Sequence, residues 1–150
     1  MLPAELAELV RRIQKQKPEG QTIEIKSAHE DVPKRLYDTL SSFSNQHQGG
    51  IIVFGIDELK NYAVAGIYDP QDLQKNVTEQ CNQMEPPVRA LFTIAEIDGK
   101  QVCSAEMVNF HSKCKILGGV AEFFSKAFLC RFPPENFPRP VVYPVHSLPV

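Results

Sequence analysis

Two acidic side chains, Asp57 and Glu58, stand where the most apolar run of the chain, Ile51 to Ile56, gives out. If the protein carries out a reaction, Asp57 is the first residue to examine, because it sits at the solvent end of what reads as a buried strand. A second group is basic: Arg11, Arg12, Lys15 and Lys17 gather toward the end of the first amphipathic segment. Such a group can contact phosphates, but cations also complement the negative end of a helix, so a solvated helix end is the plainer reading. Thiols and imidazoles offer less. Cys81, Cys103, Cys114 and Cys130 form no C-x-x-C pair, and His111, Cys114, Cys130 and His146 are spaced too loosely to define a zinc site. A disulfide framework is not signalled either.

The elements that would position these groups can be read in order. Leu6, Leu9, Val10 and Ile13 recur on one face of a helix from Pro3 to Lys15, which Pro18 and Gly20 end. Thr22 to Lys26 alternates as a strand, with Ile23 and Ile25 on one side and Glu24 and Lys26 on the other. Asp31 is placed to cap a second helix carrying Leu36, Leu40 and Phe43 as far as Asn45. Ile51-Ile52-Val53-Phe54 is β-branched and uninterrupted, as in a strand covered on both faces, and with Tyr62 to Ala65 it predicts a hairpin at the centre of the sheet. Asp69-Pro70 opens a third helix whose buried stripe is Leu73, Val77, Cys81 and Met84. Val88 to Ile97 and Gln101 to Val108 flank Asp98-Gly99, a hairpin signal.

This order predicts an α+β fold: a single compact domain with a mixed, largely antiparallel sheet flanked by helices. The composition, 43% hydrophobic and 23% charged over 150 residues, fits one globular domain. No apolar run approaches the length of a spanning helix, so a cytoplasmic location and no membrane partner are expected. A net charge of −2 gives no whole-molecule attraction to nucleic acid, so any such binding must come from a local patch.

Taken together, Glu19-x4-Glu24-x-Lys26, the helix closing in Phe43-Ser44-Asn45, Gly49-Gly50-Ile51-Ile52-Val53-Phe54-Gly55-Ile56-Asp57 and the following Gly66 resemble the Schlafen AlbA_2 (divergent AAA-4) domain family. The likeness covers about residues 19–108, with Asn45, Gly49, Gly50, Gly55 and Gly66 as its structural motif. One extra residue before Gly49, and Ile25 in place of the usual phenylalanine, depart from the family pattern. The resemblance implies a nucleic-acid-binding domain related to transcriptional regulators, with DNA or structured RNA as partner. Arg11, Arg12, Lys15, Lys26, Lys34 and Arg35 are the candidates to meet phosphates.

The resemblance also implies an alternative, a Schlafen-like endoribonuclease in which Glu19, Glu24 and Asp57 hold Mg2+ or Mn2+ to polarise a phosphate and activate water. Against this, Glu24 and Lys26 on an exposed strand face, and acids in a turn, are ordinary sheet chemistry. A third alternative is a protein-interaction or dimerisation domain, with a homodimer as the assembly expected. Outside the nuclease reading no cofactor is expected. ATP is not expected either, since Gly49-Gly50 precedes a strand instead of opening a helix and no P-loop motif exists.

Residues 1–108 therefore form the domain, and residues 109–150 an atypical tail rich in proline and phenylalanine. The tail is read either as an altered reading frame or as an extended arm whose Phe123, Phe124, Phe128, Phe132 and Phe137 require burial against a neighbour.

Overall fold

The computed structural model describes residues 1–17, 22–31, 33 and 36–108. Glu19, Lys34, Arg35 and the whole 109–150 tail, with its tail thiols and histidines, lie outside the described residues.

Four strands form one mixed sheet in the order β1-β2-β6-β5, where β1 is Ile23–Lys26, β2 Gly50–Phe54, β5 Ala90–Ile97 and β6 Lys100–Met107. β1 runs parallel to β2, while the β2–β6 and β6–β5 pairs are antiparallel. Helix α1 (Pro3–Gln16) covers one face of this sheet. Helices α2 (Tyr37–Asn45) and α3 (Pro70–Gln83) cover the other. The fold is thus the α+β arrangement expected, with helices on both faces.

The two-sided covering explains the uninterrupted apolar run. Successive side chains of a strand point to opposite faces. Val53 of β2 therefore packs with Leu6, Leu9, Val10 and Ile13 of α1, while Ile52 and Phe54 pack with Leu40, Phe43, Leu73 and Val77 of α2 and α3.

The expected hairpin at the sheet centre is corrected. β2 lies between β1 and β6, and the two runs that follow it, β3 (Ile56–Asp57) and β4 (Ala63–Val64), pair with each other in a separate ribbon. The cause is Gly55. Its φ of +99° is a conformation side chains rarely adopt, and it turns the chain out of the sheet. Its carbonyl then accepts the amides of Ala65 and Gly66, closing the ribbon, while its own amide donates to the Lys26 carbonyl. Lys100 Nζ ties the ribbon back to β6 through the Val64 carbonyl at 3.0 Å.

The second helix also differs from expectation. It begins at Tyr37 with Leu36 at the N-cap, not at Asp31, and no side chain of its own caps it. A partner from another helix does so instead: the buried Gln80 of α3 accepts the Leu36 amide at 2.9 Å and donates to the Pro33 carbonyl at 3.2 Å. Helix α3 starts as its sequence foretells, with Asp69 accepting from the amides of Gln71 and Asp72.

Replacing Gln80 by leucine keeps volume but strands a buried amide, and an unsatisfied buried donor costs about 1–3 kcal/mol. The expected result is a lower urea midpoint with an unchanged slope. A Gln80→Leu protein as stable as the parent would show that the α2 start does not depend on this cap.

Candidate nucleic-acid interface

The basic residues of α1 are built outward by its amphipathic period. Leu6, Leu9, Val10 and Ile13 are buried, which leaves Arg11, Arg12, Lys15 and Lys17 exposed. Lys17 closes the helix in a left-handed conformation, its amide donating to the Ile13 carbonyl at 2.9 Å. Arg11 lies 3.6 Å from Glu8, a surface pair that binds it only weakly.

Gln14 Nε2 donates to the Tyr62 carbonyl at 3.2 Å, joining the basic end of α1 to the β3–β4 ribbon. The ribbon's 3-10 turn, Glu58–Lys60, carries Lys60, 73% exposed.

Asp57 is half-buried, and it is occupied. Its side chain caps the 3-10 turn by accepting the Leu59 amide at 3.0 Å and lies 3.4 Å from Lys60 Nζ. Glu24 forms a 2.6 Å ion pair with Lys26 on the same face of β1. By register that face carries Ile52 and Phe54, the side of the sheet opposite α1. The fold therefore separates Lys26 from Arg11, Arg12 and Lys15. Among the described residues no three His, Cys, Asp or Glu side chains stand together as a group able to hold a metal ion. Glu19, the third member of the expected carboxylate set, lies outside them.

A groove of about 680 Å³ opens between α1, the start of β1 and the end of β6. The buried glycines Gly49 and Gly50 line it, together with Arg12 and the carboxylates of Glu5, Glu8 and Glu106. Glu106 lies 3.0 Å from the amino group of Met1. Three carboxylates against the Arg12 guanidinium and the Met1 ammonium leave the groove with a net negative charge, which disfavours a phosphate inside it. Four separate segments supply its walls, and for that reason no local sequence signal announced it.

Asn45 stands exposed at the end of α2, where its side-chain amide reaches Ser41 Oγ at 3.5 Å. Gly49 takes a left-handed φ of +69° as the chain leaves the helix, and Gly50 enters β2 directly beneath the ring of Phe43. The two glycines shape the backbone here. Burial pushes the Cys81 thiol up to about 11 and the Cys103 thiol up to about 12, so both stay protonated and inert near neutrality.

A mixed sheet with a helix on one face, two on the other and a small ribbon at one end defines an α+β domain with a basic helix end beside that ribbon. The chain belongs to the Schlafen AlbA_2 family, whose sequence pattern matches residues 19–124 and so runs past Val108 into the proline- and phenylalanine-rich tail. Among solved structures it is similar to the N-terminal domain of a RecG-related protein from Nitrosomonas europaea, solved by solution NMR. The identity is 18%, the TM-score 0.58, and the match covers 96% of this chain and 97% of that one. It is also similar to the DIP2311 protein from Corynebacterium diphtheriae, at 14% identity and TM-score 0.42 over 71% of this chain and 22% of that one. No curated protein sequence matches. No helix of the described residues is long and apolar enough to cross a membrane.

Proposed function

We propose that the chain is a nucleic-acid-binding domain, related to those of transcriptional regulators, which lays the outer face of α1 along a phosphate backbone. The observation that carries this reading is the exposed set Arg11, Arg12, Lys15 and Lys17 on α1. Family membership supports it, as does the likeness to a protein named as related to RecG, an ATP-dependent DNA helicase. Phosphate neutralisation is independent of sequence, so duplex DNA and structured RNA are both substrates for the test.

Binding to labelled duplex DNA and to a labelled RNA hairpin is followed by anisotropy between 50 and 200 mM salt. Four phosphate contacts predict a loss of roughly 100-fold in affinity over that range. Lys15→Ala with Lys17→Ala should lower the salt slope by about two. Affinity that is flat with salt, or indifferent to these substitutions, would refute the reading. A parallel arm with Mn2+, Mg2+ or chelator examines the nuclease alternative: metal-dependent cleavage that is lost in Glu24→Gln would replace a binding module with an endoribonuclease. In that enzyme a metal would have to displace Lys26 from Glu24 and Lys60 from Asp57.

A further inference from the structure

The sheet has two outer strands among the described residues, and they differ in how they are protected. β1 is four residues long and carries the charged pair Glu24 and Lys26. Shortness and charge are the usual defences of an edge against pairing with another chain. β5 is eight residues long, reads ALFTIAEI, and carries a single charge, Glu96. Leu91 is 53% exposed on it, and Ala90, Phe92 and Ile94 are only partly covered by the α2–α3 core. It has neither defence.

The register shows which backbone groups are free to pair. β5 and β6 are joined by the two-residue turn Asp98-Gly99, both residues at positive φ, and Ile97 is the partner of Lys100. In such a hairpin the residues flanking the turn form a hydrogen-bonded pair, and the pairs then alternate. The amides and carbonyls of Leu91, Thr93, Ala95 and Ile97 therefore face β6. Those of Ala90, Phe92, Ile94 and Glu96 face outward.

We infer that β5 pairs antiparallel with β5 of a second copy of this chain about a two-fold axis at Thr93, making one continuous sheet across the dimer. In this register Phe92 exchanges hydrogen bonds with Ile94 of the other copy, Ala90 with Glu96, and every outward group is used. The side chains agree with it. Phe92 meets Ile94 on one face, Leu91 meets Ala95 on the other, and Glu96 meets Ala90 and not its own copy, so no like charges are opposed. The two-fold closes the assembly, because among the described residues the edges left are the charged β1 strands.

The test uses the full chain. Sedimentation should give the mass of two chains at micromolar concentration. Ile94→Pro removes an outward-facing amide, which edge strands tolerate, together with part of a side chain that packs on the α2–α3 core; it should halve the mass while leaving the far-ultraviolet circular dichroism unchanged. Should that variant misfold, the cross-link decides. Thr93→Cys in a Cys114→Ser, Cys130→Ser background should oxidise to a covalent dimer, because the axis sets the two positions opposite each other as a non-hydrogen-bonded pair. A monomeric parent, whether its outward β5 amides exchange freely or are covered by residues 109–150, would overturn the inference. So would a dimer that survives Ile94→Pro, or a Thr93→Cys protein that does not cross-link.

Discussion

Gly50→Ala should be among the most damaging single substitutions in this domain. A Cβ built on Gly50 is driven against the ring of Phe43, overlapping Cγ, Cδ1 and Cδ2. Neither side can yield easily. Gly50 begins β2, which is bonded to β1 and to β6, and Phe43 is 4% exposed in the α2–α3 core. Overpacking a core costs about 1–3 kcal/mol and occasionally more; direct overlap with a buried ring belongs at or above the upper end. Domain stability is about 5–15 kcal/mol in total, so the variant should retain little of it. Urea unfolding of Gly50→Ala, Phe43→Leu and the double variant provides the measurement. The double variant should lose less than the two singles combined, since shortening the ring admits the methyl group. Additive losses would mean that the two residues do not meet in the folded protein.

Phe54→Ala is the second large loss. Phe54 is fully buried, between the partners Lys26 on β1 and Cys103 on β6, in the core under α2 and α3. Truncating a buried phenylalanine costs about 3–5 kcal/mol, part of it from the cavity that the neighbours cannot fill. In a domain of this size that lowers Tm by roughly 10–20 °C. A calorimetric scan in which Phe54→Ala melts within a few degrees of the parent would contradict the packing.

These two sites show what the sequence could and could not disclose. The helices and strands were legible wherever apolar residues kept one period, as in Leu6, Leu9, Val10 and Ile13 or the Asp69 cap of α3. The two-sided burial of β2 was legible too, because a continuous β-branched run leaves the strand no polar face to turn toward water. The start of α2 was misplaced because its cap comes from Gln80, distant in the chain, and no local pattern reports a side chain arriving from another helix. The hairpin was misassigned because Gly55 was read as part of a strand-and-turn run, while its positive φ sends the next strand out of the sheet.

At the candidate interface, the basic group on α1 was visible as composition. Its junction with the β3–β4 ribbon was not, since Gln14 and Tyr62 are joined only in three dimensions. Lys26 was named with that set as a phosphate contact, yet strand alternation and register place it on the opposite face of the sheet.

The seat of α1 has a consequence for the order in which the protein is made. Its stripe rests on Ile25, Val53, Ile56, Val64, Ala95 and Val102, the last two carried by β5 and β6. At about 5–20 residues per second, the ribosome delivers those strands roughly 5–20 seconds after the helix itself. Through that interval the first helix to be synthesised holds an apolar stripe with only part of its resting place. It can be fully seated only when the last described hairpin has emerged.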